Sequence, residues 1–518
     1  MSDHIVATTR GRIRGAEAGG VRRFLGVPFA APPTGSFRLR APSRPAPWSG
    51  VRDALCFGPI APQPGPAGDS SSHAAFRGLD THAPGVSQDE DCLTLNIWTA
   101  AAGERRPVMV WLHGGGLRAG SPQIPAYDGA EFARQGVVLV TVAYRLGVLG
   151  FLCHPALSEG EGACGNWGLL DQLAALAWVR ENIAAFGGDP QNVTVFGQSA
   201  GASSIAALFA LPERRPFDKA ILQSAAPKSQ TLDEAAVHAE AVAAALGLKD
   251  VREVRHAPLS AVLAAQEKVE GGPSAGMMFI VAQDGFLFDK DPLAMLGEGR
   301  GVDAPRLVGA VRDEWRRFMP LDPRGANLDE PALRRRLERA LPGDPGTIIS
   351  AYAAHRRARG ETASPSEIWF DICGDTYFRL PSLNFELATA RYPSATFEYL
   401  IDYPVRIDGG RCGSFHSYEL PLVFGNWSMP EYAPIYEGMA DVAEVSRTLM
   451  ATWIAFARHG DPSTTFGAWP RWTPSERRQF VLGPNPHVAS DPFRSVTDLI
   501  AERVTEGQNA APLGLARR

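Results

Sequence analysis

The sequence predicts an α/β protein organised on one large, mostly parallel central sheet with helices on both faces. Three observations lead there. Short, continuous apolar runs recur at residues 108–112, 137–142 and 193–196, and such runs are strands buried on both sides. Segments of helical apolar spacing alternate with them, as at 169–185. The run at 193–196 leads into Gly197-Gln198-Ser199-Ala200-Gly201 and then a helical stretch over 202–210 that stops at Leu211-Pro212. A strand, a sharp turn and a helix place that serine at the apex, with its hydroxyl at a helix N-terminus where the dipole favours developing negative charge.

In chain order, residues 6–60 alternate short β-prone pieces with Gly and Pro turns, a small N-terminal β element. Residues 62–88 are rich in Pro, Gly and Ser, which predicts a long flexible loop, either a mouth or lid element or plain disorder. A strand is expected at 93–98, and the strand at 108–112 ends in His113-Gly114-Gly115-Gly116. The helix over 169–185 stops at Gly187-Gly188, a C-terminal signal. Another strand follows the elbow at 219–224, and residues 231–300 read as a mostly helical cap. Strands are expected at 306–310 and 396–400. Val442, Val445, Leu449, Trp453 and Phe456 make a helix with one apolar face for core packing, a dimer contact being the second use. The tail 507–518 is expected to fray, and residues 1–518 to form a single catalytic domain.

Composition removes several function classes. Of the 518 residues 45 % are hydrophobic and 21 % charged, and 51 basic against 56 acidic residues leave a formal charge of −5. No basic run with interleaved aromatics occurs, so nucleic acid is not an expected partner. The most apolar long stretch, 137–153, is interrupted by Arg145 and too short for a membrane span. The N-terminus has no charged and apolar leader pattern, so a cytoplasmic location is expected. The six cysteines lack C-x-x-C spacing, which argues for reduced thiols over a disulfide framework or a zinc site. Cys153 with Cys164, or Cys56 with Cys92, is the alternative.

A serine nucleophile needs a base, an acid that orients it and an oxyanion hole. A second Gly-x-Ser-x-Gly at Gly272–Gly276 offers Ser274, but a charged run precedes it and no helix follows, so Ser199 keeps the role. On sheets of this kind the partners follow in the order serine, acid, histidine. His355 sits among arginines on what reads as a solvated helix face, His459 at a helix end and His487 in a late Pro-rich loop. His416 lies in a loop entering an apolar segment, which suits a mobile base, with a structural histidine as the alternative that chain order alone leaves open. Asp313 and Glu314 both follow the strand at 306–310, and either can serve as the acid, the other pairing with a nearby arginine. The glycines after His113 let backbone N–H groups approach a substrate oxygen.

These motifs resemble the type-B carboxylesterases, close in pattern to bacterial para-nitrobenzyl esterases and more distantly to cholinesterases. The matching stretches run in family order from Phe24 to Gly35, through Glu90 to Asn96, the glycine loop, Gly165 to Gln172, Phe186 to Pro190 and the elbow, to Gly309–Glu314 and Phe415–Gly425. The resemblance implies an α/β-hydrolase fold with Ser199 as nucleophile, Glu314 as acid and His416 as base. It implies oxyanion N–H groups from Gly115, Gly116 and Ala200. Leu117, Gln198 and Trp315 depart from the family pattern and are candidate pocket residues. Gln198 stands where many relatives carry a glutamate, and Ala61 where secreted relatives place the partner of Cys92. The loop before Glu90 lacks the tryptophan that holds choline, so the expected substrate is an uncharged small-molecule ester cleaved through an acyl-enzyme. No metal or organic cofactor is expected, and the assembly is expected to be a monomer or homodimer. Amidase or lactonase activity on the same residues is the nearer rival, and a non-catalytic binding protein the more remote one.

Overall fold

A computed structural model describes residues 3–64, 79, 86–100, 105–158, 162–214, 216–271 and 278–506. Its strands are β1 (Asp3–Ala7), β2 (Arg12–Ala18), β3 (Val21–Pro28), β4 (Val51–Asp53), β5 (Thr94–Thr99), β6 (Arg106–Leu112), β7 (Val138–Val142), β8 (Gly188–Gln198), β9 (Lys219–Gln223), β10 (Ser229–Gln230), β11 (Val281–Ala282), β12 (Arg306–Val311), β13 (Thr396–Ile401), β14 (Arg478–Leu482) and β15 (His487–Ser490). One sheet takes them in the order β1-β2-β3-β5-β7-β6-β8-β9-β12-β13-β14-β15, with β4 beside β2 and β10–β11 a separate pair. From β7 to β14 every neighbouring pair is parallel. The antiparallel strands lie at the N-terminal edge and at β15.

Alternation along each strand feeds two cores. Val108, Val110 and Leu112 of β6 face the helices Trp167–Asn182 and Ala200–Phe209, whereas Met109 and Trp111 face the helix Val442–His459. A third cluster gathers Leu333, Tyr352, Trp369, Phe370 and Val496 from the C-terminal helices around Trp315. The apolar face predicted on Val442–His459 is therefore used inside the protein.

Register brings the candidate site together. Leu112 pairs with Gly197, Gln198 with Gln223, Gln223 with Gly309, and Val311 with Ile401. The loops after β6, β8, β9 and β12 thus leave one edge of the sheet, the carboxyl edge where open α/β sheets place their ligands.

Two expectations need correction. His487 opens β15 instead of lying in a loop. His355 is half-buried against the Phe493 ring, and Arg356 beside it is buried with Glu367 and Asp371, so that helix face is not solvated. Ser274 and the tail 507–518 lie outside the described residues, as does most of the 62–88 loop. All six cysteines are free, with Cys153 Sγ 3.6 Å from Cys164 Sγ. No helix among the described residues is long and apolar enough to cross a membrane.

Candidate active site

Strand β8 ends at Gln198, and Ser199 turns the chain with φ 56° and ψ −122° before the helix Ala200–Phe209 begins. A side-chain-bearing residue in that conformation is strained, and the surroundings must hold it there. They do so by close approach. A Cβ on Gly201 would overlap the carbonyl oxygen of Leu112, and one on Gly197 would stand 2.8 Å from the backbone of Gly201. Both glycines of the elbow are thus required by the packing of β6 on the turn. The Ser199 N–H is fixed by the Gln223 carbonyl at 2.8 Å.

The glycine loop lies against this turn. A Cβ on Gly114 would stand 3.1 Å from Ser199 Cβ. Gly115 and Gly116 have φ of 111° and 66°, and Gly115 is so close to Ala119 that any side chain there would collide with its carbonyl. The N–H groups of Gly115 and Gly116 have no acceptor among the described residues. The Ala200 N–H belongs to a first helical turn, which has no intrahelical partner for it. His113 anchors the loop: it is buried, stacked on Tyr144 at 4.4 Å, and burial pushes its pKa down to about 4, so the ring stays neutral. Leu117 follows with φ 56° and its carbonyl accepts the Gly147 N–H at 2.7 Å.

His416 and Glu314 arrive from far along the chain. Glu314 Oε2 lies 2.5 Å from His416 Nδ1, and the two residues are 1 % and 3 % exposed. A carboxylate at that distance places the ring proton on Nδ1 and leaves the Nε2 lone pair free to act as a base. Glu314 Oε1 also accepts the Val311 N–H at 3.1 Å, which fixes the carboxylate to the end of β12. Asp313 turns the other way, accepting the Ser414 N–H at 2.8 Å and pairing with Arg312 at 3.0 Å. Of these two acids, Glu314 is the one that touches the imidazole.

Of the three pocket candidates, Gln198 meets the imidazole directly. Its Nε2 is 3.0 Å from His416 Nε2 and 3.4 Å from Nδ1. Ser199 Oγ has no hydrogen-bond partner among the described residues, and Ser199 is only half-buried. Trp315 is buried beside Phe318 at 5.1 Å and Tyr377 at 4.6 Å, and Phe318 and Phe378 in turn flank the imidazole at 5.4 and 4.5 Å. These two phenylalanines were missed, since nothing in their local pattern separates a pocket aromatic from a core one. Also missed was Glu419, buried with Oε1 accepting from Gln223 Nε2 at 3.2 Å; desolvation, then the nearby charge of Glu314, push its carboxyl up to about 8. Trp453 Nε1 completes that chain by donating to Gln223 Oε1 at 3.0 Å. No group of three or more metal-ligating side chains occurs among the described residues.

Residues 2–499 match the family model described as "Carboxylesterase family". The para-nitrobenzyl esterase of Bacillus subtilis is 34 % identical over 501 residues, which span 95 % of this chain and 97 % of that protein. Phenmedipham hydrolase of Pseudarthrobacter oxydans is 36 % identical over 497 residues, or 92 % and 95 % of the two chains. The crystal structure of a Geobacillus stearothermophilus carboxylesterase superposes with a TM-score of 0.83 at 34 % identity, covering 96 % of this chain and 99 % of that one. With kinship running the length of the chain in both sequence and fold, this protein belongs to the carboxylesterase family and is a carboxylic ester hydrolase.

Proposed function

We propose that Ser199, His416 and Glu314 carry out the hydrolysis, with the N–H groups of Gly115, Gly116 and Ala200 as the oxyanion hole. The observation that carries this reading is the 2.5 Å contact of Glu314 with His416 Nδ1, made across 102 positions of sequence beside the strained Ser199 turn. Ser199 Oγ attacks the ester carbonyl carbon and its proton passes to His416 Nε2. The carbonyl electrons collect on oxygen against the three N–H groups, where fixed donors cost no reorganisation. As the tetrahedral intermediate collapses, the ester C–O bond breaks and the imidazolium gives its proton to the leaving alcohol. Water repeats the sequence on the acyl-enzyme: its proton goes to Nε2, the acid is released and Ser199 recovers its hydrogen. Glu314 keeps the ring in the required tautomer and offsets its transient charge. These steps draw on protein groups and water alone.

An uncharged ester of a small alcohol or phenol is the substrate class this reading favours, since aromatic rings flank the imidazole at Phe318 and Phe378. The catalytic unit is the whole chain, because the nucleophile follows β8, the acid follows β12 and the base lies in the segment after β13. The test is Ser199→Ala on a short-chain aryl ester together with fluorophosphonate labelling. Turnover should fall by about 10³-fold or more and labelling should vanish; substantial residual activity would remove Ser199 from the mechanism. A panel of matched esters, amides and lactones fixes the bond cleaved.

A further inference from the structure

We propose that Lys228 gives the active site a carboxylate subsite, extending its range to esters that carry a carboxylate away from the scissile bond. The inference rests on the assignment of Ser199 and His416 just given. Uncharged esters need only the rings beside the imidazole; Lys228 stands at the far end of the line those rings begin.

Two routes tie Lys228 to the catalytic pair. Along the chain it follows β9, on the carboxyl edge of the sheet. Ala226, two residues before it, donates its N–H to Ser203 Oγ at 3.0 Å, and that hydroxyl donates to the Ser199 carbonyl at 3.0 Å. Two residues span about 7 Å at most, so the lysine leaves the chain close to the turn that carries the nucleophile. Through side chains, Lys228 Nζ lies 4.7 Å from the centre of the Tyr377 ring, and Tyr377 lies 4.6 Å from Trp315. Trp315 is 5.1 Å from Phe318, and Phe318 is 5.4 Å from His416. The next residue, Ser229, donates to Asp291 at 2.5 Å, and Thr231 caps the helix Leu232–Ala245, so the lysine is presented from a fixed turn.

The surroundings suit an anion. Lys228 is exposed, yet the protein around it desolvates the ammonium and lowers its pKa, with no carboxylate near enough to offset the loss. A side chain that is accessible and desolvated at once faces a cleft, not the open surface. The Tyr377 ring attracts the charge but takes up none of its three N–H groups as a hydrogen-bond acceptor would, and no described residue accepts one either. A desolvated cation with unmet donors is stabilised by a partner of opposite charge, and a carboxylate brings that charge and two acceptor oxygens together. An alkyl tail brings neither.

The experiment compares kcat/KM within two pairs of esters for the wild type, Lys228→Met and Lys228→Glu, with rates normalised to sites titrated by the fluorophosphonate. One pair puts the carboxylate on the acyl side, mono-para-nitrophenyl adipate against para-nitrophenyl hexanoate. The other puts it on the alcohol side, meta-acetoxybenzoate against meta-acetoxybenzamide. Taking the ratio within a pair cancels any general loss of activity. In K228M the charged-to-neutral ratio should fall about tenfold in at least one pair, and in K228E it should fall further in that same pair. The pair that responds identifies which side of the ester reaches Lys228. Wild-type ratios in K228M for both pairs, or a K228E ratio no lower than that of K228M, would overturn the proposal. Ser199→Ala separates the layers: if it retains activity the triad reading fails, whereas an inactive Ser199→Ala with unmoved K228M ratios sinks only the role of Lys228.

Discussion

Two neighbouring acids after β12 reach different partners, and the difference lies in a single turn of backbone. Glu314 touches the imidazole, while Asp313 ties the Ser414 N–H and Arg312 to the loop that carries it. Glu314→Gln keeps the shape of the side chain but removes the charge that stabilises the imidazolium, so kcat should fall by about 10³- to 10⁴-fold with the fold intact. Asp313→Asn should leave kcat within about tenfold and lower the melting temperature instead, since Arg312 loses one of its two carboxylate partners. Parallel thermal melts and kcat measurements decide it; an inactive, fully stable Asp313→Asn enzyme would reverse the roles. The sequence could not choose between these acids from spacing, because the direction of each side chain depends on how the 3-10 turn Glu314–Leu321 leaves the strand. Resemblance to relatives supplied Glu314, and Glu314 is the acid that lies against His416.

At the scale of elements, what was legible is what local chemistry dictates. The central strands were readable because burial on both faces forces continuous apolar runs, and the strand–turn–helix around Ser199 because only a few residues tolerate it. Less legible was anything settled by long-range packing: the aromatic pair at His416, the strand at His487 and the burial of His355 all depend on partners remote in sequence. The elbow gives the sharpest test of the local argument. Gly201→Ala adds one methyl group, which has no room against the Leu112 carbonyl, so β6 and the helix Ala200–Phe209 must separate or the turn must open. Backbone cannot yield as a flexible side chain does, and a loss of several kcal/mol is expected, on the order of an overpacked core. Activity should fall with stability, and thermal melts should show the lower transition. An enzyme with unchanged melting and activity would mean that β6 and the helix are not packed as closely as this.

Across the whole molecule, the same burial that shapes the site sets how stability depends on pH. Glu419 has its folded-state pKa raised to about 8 by desolvation and by Glu314, against an ordinary value near 4.5. Below the ordinary value both folded and unfolded chains hold the proton and the group is neutral in the balance. Between there and about 8 the unfolded chain has released it and the folded chain has not, so stability falls as pH rises, by about 5 kcal/mol at most over the interval. His113 works on the other flank: its pKa of about 4 means that its contribution is complete above the ordinary histidine value and is lost as pH falls toward 4. Glu386 and Glu398 are pushed upward by burial too, so the alkaline loss is not Glu419's alone. A difference measurement isolates it. Glu419→Gln keeps an acceptor for Gln223 Nε2 and removes the titration, while other buried acids cancel between the two proteins. Denaturant unfolding should give a variant no more stable than the wild type at pH 5 but clearly more stable at pH 8. A gap of equal size at both pH values would mean that the Glu419 carboxyl is not held neutral by the fold, and that the charge balance beneath the imidazole differs from the one this geometry implies.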